Sequence, residues 1–292
     1  MPELPEVETV RRHLARQVPG KTIRSVWTSG RALRKPLARG FRAAFRGGRF
    51  TGVRRIGKFL YLDWQAPDGS EKRSLLAHLG MTGHFLHTTR PIHERPLHTH
   101  VVWEFDDGSS LLFCDARRFG LLEWVARDSR PPNVGADPTE FALSGEWLAA
   151  ELAKSKAPIK AFLLDQSRLA GVGNIYACEA LFQARISPKR RARTLTRDEA
   201  DRLAEAVDST LKAAIGNRGT TFSDFRDLDD RPGEYGSSLL VYGRQGEPCV
   251  RCGTAIRRIV QSGRSSFYCA TCQRKPAGPR PRRDARRAGI GV

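Results

Sequence analysis

The sequence predicts an α+β protein: an N-terminal helix joined to a β-sandwich, then a helical domain, then a small cysteine-bearing β-hairpin. Three observations carry that prediction. An amphipathic stripe opens the chain, alternating apolar segments fill residues 21–125, and two C-x-x-C pairs follow a helix-patterned stretch near the C-terminus. At 292 residues, 40% of them hydrophobic, the chain has the length of about two domains and the apolar content for real cores.

Residues 3–18 read as a helix, because Leu4, Val7, Val10, Leu14 and Val18 step by three or four along one face. Pro5 falls in the first turn, where a missing N–H costs little. Glu3, Glu6 and Glu8 lie near the positive end of the helix dipole, with Arg11, Arg12 and Arg16 further along. Strands are expected over Thr22–Thr28, Phe50–Trp64, Leu75–Leu86, His100–Phe105 and Ser110–Phe113, with Asp107-Gly108 turning the last two into a hairpin. Several strands with short turns make a sandwich or barrel. Residues 126–141, rich in Pro, Gly, Asp and Asn, read as a linker. The expected division is therefore 1–130, a hinge at 131–141, a helical domain at 142–244, a metal module at 245–275 and a tail at 276–292. In the helical domain, two apolar-periodic segments flank Gly171-Val172-Gly173, and Asn174 is placed as the N-cap of the second. Thr196 and Glu199 form a capping box for a longer helix that continues through Leu203, Val207 and Leu211 to Gly216 and Gly219. The Arg- and Pro-rich tail has almost nothing apolar to bury and is expected to be disordered.

Cys249-x-x-Cys252 and Cys269-x-x-Cys272 are separated by sixteen residues. Four thiolates at this spacing suit one tetrahedral structural Zn2+, whereas a single C-x-x-C reads equally as a redox pair. The intervening segment alternates and contains Ser262-Gly263, so it should form a hairpin bearing Arg257, Arg258 and Arg264. Cys114 and Cys178, in apolar surroundings, read as small buried hydrophobes. A disulfide framework would require a secreted context, and no signal peptide is visible.

The net charge is +19, spread over the whole chain. That balance suits a polyanion, nucleic acid first and an anionic membrane surface second. No apolar run reaches the ~18–20 residues of a membrane span, and no basic amphipathic helix has a bulky apolar face. A cytoplasmic, nucleoid-associated monomer is expected. The glycines at 171 and 173 allow close backbone approach, and the helix after them offers free N–H groups to a phosphate. An ordinary helical hairpin explains the same pattern.

The opening MPELPEVET carries a chemical possibility. Removal of Met1 would expose Pro2 as a secondary amine able to attack a sugar's anomeric carbon and form an iminium Schiff base, with Glu3 moving protons beside it. A proline that merely starts a helix is the plain alternative.

MPELPEVET, GKFL at 57–60, HLGMTG at 78–83, DARRFG at 115–120, GVGNIYACEALF at 171–182 and the two C-x-x-C pairs occur together in this order. In this the chain resembles the formamidopyrimidine-DNA glycosylase family, from residue 1 to about 275. The resemblance implies a bifunctional glycosylase/AP lyase of base-excision repair that acts on double-stranded DNA, removing oxidised purines such as 8-oxoguanine and formamidopyrimidines. It implies a helix–two-turn–helix in the helical domain and DNA in the cleft between domains. Carried over by position, Pro2 is the nucleophile, Glu3 the catalytic acid, Glu6 its supporting carboxylate and Lys58 the hairpin lysine that assists chemistry. Met81, Arg117 and Phe119 fill the gap left by the extruded nucleotide, which suits two apolar wedges and an arginine facing an orphaned base. Lys160 contacts DNA near the damaged nucleotide, Asn174 and Arg264 contact phosphates, and His98 or His100 contacts phosphate as well. Thr220–Asp230 resembles the loop that closes over the flipped base. The rival readings are the sister enzyme endonuclease VIII, which takes oxidised pyrimidines, a catalytically dead damage binder, and a generic zinc-ribbon DNA-binding protein.

Overall fold

The computed structural model describes residues 1–90, 92–221, 228 and 231–274. The expected tail at 276–292 and most of the expected closing loop at 220–230 lie outside the described residues.

Helix α1 (Leu4–Gln17) opens the chain. Glu3 precedes it as N-cap, and the Glu3 N–H donates to Glu6 Oε2 at 2.7 Å. Its stripe serves two cores. Val7, Val10, Leu14 and Val18 enter the core of the sandwich, whereas Leu4 enters the core of the helical domain. One helix therefore belongs to both halves of the molecule.

The sandwich is built from β1 (Ile23–Thr28), β2 (Arg49–Ile56), β3 (Phe59–Gln65), β4 (Lys72–His78), β5 (His84–Thr88), β6 (Thr99–Phe105), β7 (Ser110–Cys114) and β8 (Leu121–Ala126). One antiparallel sheet has the order β1-β6-β7-β5 and the other β2-β3-β4-β8. A short helix α2 (Phe41–Phe45) plugs the space between them with Phe41 and Phe45, which stand one turn apart. Phe45 lies 5.8 Å from the Trp103 ring and 5.8 Å from the Phe50 ring, centroid to centroid. Truncating such a buried aromatic costs about 3–5 kcal/mol.

Two expected strands are each two strands. Phe50–Trp64 is broken at Gly57-Lys58, where Ile56 pairs with Phe59 across a tight turn and Gly57 takes φ +57°. Val53 and Ile56 before the turn and the continuous apolar run Phe59–Leu62 after it read as one apolar stretch interrupted by a single glycine and lysine, so periodicity does not reveal it. Leu75–Leu86 is split between β4 and β5, which belong to different sheets. Residues 31–48, inside the region read as strands, hold α2. Its two phenylalanines are too few to establish a helical period.

Residues 131–141 are tied down by charge. Arg55, 5% exposed, donates to Glu8 Oε2 at 3.1 Å, to Asp137 Oδ2 at 2.6 Å and to Thr139 Oγ1. The Gly57 N–H donates to the same Asp137 carboxylate at 2.7 Å. A buried guanidinium needs such partners, and removing one strands the others.

The helical domain comprises α3 (Gly145–Ala153), α4 (Ile159–Leu164), α5 (Asn174–Gln183) and α6 (Arg197–Gly216). The expected capping box stands at α6: the Glu199 N–H donates to Thr196 Oγ1 at 3.2 Å, and the Thr196 N–H to Glu199 Oε2 at 2.9 Å. The cysteine module is the hairpin β9 (Arg257–Gln261) and β10 (Arg264–Tyr268), turning at Ser262-Gly263. Cys114 and Cys178 are buried. Among the described residues, no helix is long and apolar enough to cross a membrane.

Candidate active site and nucleic-acid interface

The N-terminal segment docks on the start of α5. The Leu4 N–H donates to the Gly171 carbonyl at 3.1 Å. The Glu3 carboxylate accepts from the Ile175 N–H at 3.0 Å and the Tyr176 N–H at 3.5 Å. A carboxylate is well placed there, because the first N–H groups of a helix are unpaired and carry the positive end of its dipole. The close approach depends on glycine. A Cβ on Gly173 would lie 2.2 Å from Glu3 Cδ, and one on Gly171 would lie 2.7 Å from Leu4 Cβ. Pro2 is buried beside this contact, and Met1 is 49% exposed.

Asn174 is not the N-cap. Gly173 holds that position and Asn174 is the first helical residue. The cap arrives instead from Glu3, on another element, which leaves the Asn174 side chain for other work. Its Nδ2 donates to the Ser265 carbonyl at 3.0 Å, and its buried Oδ1 has no partner.

Glu6 lies at the centre of a second knot. Its Oε1 accepts from the Thr220 N–H at 2.7 Å and from the Tyr176 hydroxyl, and that hydroxyl lies 3.1 Å from Thr220 Oγ1. Burial, and then the Glu3 charge nearby, push the Glu6 carboxyl up to about 7. Lys58, in the β2–β3 turn, is 6% exposed and donates to the Val172 carbonyl at 3.3 Å. Burial lowers its ammonium pKa, and the Glu3 charge opposes this. Gln166 braces the same glycine turn, donating to the Val172 carbonyl at 2.8 Å and accepting from the Gly171 N–H at 2.9 Å. Pro2, Glu3, Glu6 and Lys58 are thus brought onto one short stretch of backbone, Gly171–Tyr176 with Thr220. Tyr176, Thr220 and Gln166 also belong to the site; Tyr176 and Thr220 fall within stretches the resemblance marks, but no individual role was assigned to any of the three from the sequence.

Met81, Arg117 and Phe119 stand on two neighbouring loops of the sandwich. Met81 is 40% and Phe119 45% exposed, and the Arg117 guanidinium lies 4.7 Å from the centre of the Phe119 ring. Buried Asp115 pins both loops: it accepts from Thr82 Oγ1 at 2.5 Å and from the Gly120 N–H at 2.7 Å. Thr82 Oγ1 in turn accepts from the Arg117 N–H at 3.1 Å. His100 is buried with its two ring nitrogens on Ser29 Oγ and the Asp115 carbonyl. His98 is the exposed histidine of the pair, held at φ +63°. Burial drives the His78 pKa down to about 4, so its ring is neutral.

Lys160 is 1% exposed, and its ammonium donates to the Ser265 carbonyl and Ser266 Oγ, each at 2.7 Å. It supports the cysteine hairpin from below, and the guanidinium of neighbouring Arg264 is exposed on the hairpin. Buried Glu179, a further unselected residue, accepts backbone N–H bonds from Leu240, Val241 and Tyr242 and fixes the segment leading to the hairpin. Cys249, Cys252, Cys269 and Cys272 place all four sulfurs within 4.8 Å of one another. Two of the pairs, Cys252–Cys269 and Cys249–Cys272, are 3.5 and 3.9 Å apart. Thiolates about 2.3 Å from one tetrahedral ion stand about 3.8 Å from each other, so this cluster fits a metal.

Family comparisons cover nearly all of this architecture. The formamidopyrimidine-DNA glycosylase N-terminal domain matches residues 1–122, the H2TH domain of the same enzymes residues 134–226, and a zinc finger found in FPG and IleRS residues 246–274. The formamidopyrimidine-DNA glycosylase of Cereibacter sphaeroides is 40% identical over 288 residues, covering 94% of this chain and 100% of that protein. The crystal structure of the Fpg protein from Thermus thermophilus superposes with a TM-score of 0.81 at 40% identity, covering 94% of this chain and 100% of the other. Lactococcus lactis Fpg, at 31% identity, TM-score 0.83 and the same coverage, has been solved with DNA containing N7-benzyl-Fapy-dG and with DNA containing an oxidised pyrimidine. By sequence, fold and the order of its domains, the chain belongs to the formamidopyrimidine-DNA glycosylase family.

Proposed function

We infer that this protein is a base-excision repair DNA glycosylase and AP lyase that removes oxidised purines through a Schiff base on Pro2, with Met1 removed. One observation carries the reading: Pro2 and Glu3 are seated on the glycine turn before α5, with the buried Lys58 ammonium on the carbonyl of that turn. The proposed nucleophile, a buried carboxylate and a buried lysine of lowered pKa are thus gathered at one turn, the kind of grouping that acid–base chemistry uses.

In the proposed reaction the Pro2 nitrogen bonds to C1′ of the flipped nucleotide. The C1′–base bond breaks, and the base leaves with the electron pair and takes up a proton. Opening of the sugar ring, with Glu3 protonating the ring oxygen, gives an iminium. That cation acidifies the adjacent C–H. Loss of the C2′ proton expels the 3′ phosphate, and a further proton loss expels the 5′ phosphate. Pro2 must be unprotonated to begin, so the rate should rise with an ionisation between about pH 6 and 9. Flipping costs a few kcal/mol, which Met81, Arg117 and Phe119 offset by filling the vacated stack. Asn174, Arg264 and exposed His98 are the proposed phosphate contacts. Lys160, buried under the hairpin, would act on DNA by holding Arg264 in place. One Zn2+ on Cys249, Cys252, Cys269 and Cys272 is proposed as the structural ion, and the bound partner is duplex DNA with a damaged base.

Borohydride trapping tests the reading on duplexes carrying 8-oxoguanine opposite cytosine or an oxidised pyrimidine, with Pro2→Ala as control. A covalent adduct on the purine duplex that is absent in the variant is expected. Preference for the pyrimidine duplex would reassign the lesion class, a distinction made pertinent by the oxidised-pyrimidine complex of the Lactococcus lactis relative. Tight binding without an adduct on either duplex would refute the catalytic role of Pro2.

A further inference from the structure

The stretch from Thr9 to Leu62 contains no Asp or Glu, yet carries fifteen Lys and Arg. Several are neutralised by carboxylates from elsewhere, Arg11, Arg12 and Arg55 by Glu8 and Lys35 by Glu123. Arg31, Arg42 and Arg46 are exposed and have no carboxylate at ion-pairing distance among the described residues. They converge with Arg24 on one groove of about 750 Å³. Arg24 alone has an acidic neighbour there, Glu104 at 3.6 Å.

The groove runs along β1, the outermost strand of its sheet; on the outer side Ile23 exchanges backbone hydrogen bonds with Gly47 and Gly48, and beyond that point Arg24–Thr28 are paired through β6 alone among the described residues. Arg24, Ser25, Val26 and Thr28 of that strand form one wall, and α2 with the segment before it forms the other. Val26, Leu37 and Phe41 give it an apolar floor. Pro2, Glu3 and Lys58 do not line it.

An unpaired strand edge is a template for another strand, and proteins that leave one open commonly use it to take up an extended peptide. The charge decides what kind. A second copy of this +19 chain would set arginines against arginines, and the chain's own Arg-rich C-terminal segment would be repelled in the same way. A DNA backbone would satisfy the arginines but would leave both the apolar floor and the strand edge unused. We propose that this groove docks an extended acidic segment of a partner protein, which adds as a strand to β1, sets alternate apolar side chains on the floor and places carboxylates on Arg31, Arg42 and Arg46.

The test uses the full chain with its DNA cleft filled by a 13-base-pair duplex bearing an uncleavable abasic analogue, so that the acidic probe cannot bind there. The probe is a fluorescein-labelled nine-residue peptide alternating aspartate with valine and phenylalanine. Saturable anisotropy binding is expected, weakened at least tenfold by the double substitution Arg42→Glu, Arg46→Glu, with base excision on a 13-base-pair duplex unchanged within twofold. Amide exchange at Arg24–Thr28 should slow when the peptide binds, and a peptide with proline at alternate positions should fail to slow it. Absence of binding, or binding indifferent to the double substitution, would overturn the proposal. So would a double variant that binds the peptide normally but loses affinity for a 30-base-pair duplex, because the groove would then be a second DNA contact. Excision on the short duplex is read separately, so failure of the proposed repair activity is distinguishable from failure of the groove.

Discussion

Replacing Gly173 with alanine should disable the site while sparing the fold. The backbone at Gly173 is extended, with φ −125° and ψ −161°, a conformation open to any residue, so the added methyl acts only by its bulk. It would arrive 2.2 Å from Glu3 Cδ and 2.4 Å from Oε1, where ordinary contact begins near 3.4 Å. The carboxylate must therefore retreat by about 1 Å, and its 3.0 Å bond from the Ile175 N–H is lost. A charge-assisted hydrogen bond of this kind contributes about 1.5–3 kcal/mol. A misplacement of about 1 Å at a reacting centre costs about a hundredfold in rate. Single-turnover excision of 8-oxoguanine opposite cytosine should fall by about that factor, with thermal melting shifted by only a few degrees. Gly216→Ala is the matched control, because a Cβ there meets nothing within 4 Å. A Gly173→Ala enzyme that excises within threefold of the parent would refute the argument that Glu3 must sit on α5 to work.

Glu6→Gln should change how stability depends on pH. The folded protein holds a proton on Glu6 up to about 7 whereas the unfolded chain releases it near 4.5, so this group makes stability fall as pH rises between those values, by about 3 kcal/mol in all. The melting midpoint of the variant relative to the parent should accordingly rise from pH 5 to about 7 and level off above it, and a flat difference throughout would contradict the raised pKa. Asp115→Ala frees the Met81 and Phe119 loops together, and excision should fall by about ten- to a hundredfold with little change in binding to undamaged duplex. Stripping the metal, by chelation or Cys269→Ser, should unfold the hairpin and free Lys160 and Asn174 from the Ser265 carbonyl. DNA affinity should drop and depend less steeply on salt, as anisotropy titrations at several salt concentrations would reveal.

What the sequence disclosed and what it hid follow from the range of the interactions. The stripe of α1, the Thr196–Glu199 capping box and the Ser262-Gly263 hairpin are set by neighbours a few residues apart, and each appears as expected. The four cysteines were legible because metal ligands must converge and their spacing is distinctive. The Gly57-Lys58 turn was not, since the apolar residues on its two sides run together into one strand-like stretch. Asn174 was misplaced as a cap because its true competitor, Glu3, lies 171 positions earlier. Tyr176, Thr220 and Asp115 fall in stretches the resemblance marks, but their partners were not legible for a related reason: a polar contact between distant elements has no period, and only the folded chain shows which hydroxyl meets which carboxylate.

The seating of Glu3 on α5 also bears on the order of events during synthesis. Glu3 and Ile175 are 172 residues apart, and ribosomes add about 5–20 residues each second. Pro2 and Glu3 therefore emerge some ten to thirty seconds before the glycine turn that receives them. Through that interval Pro2 has no partner to bury it, and any removal of Met1 that the proposed chemistry requires would have its easiest access then. On the proposed chemistry, a chain stalled before about residue 175 would carry Pro2 without the seat on which its reaction depends.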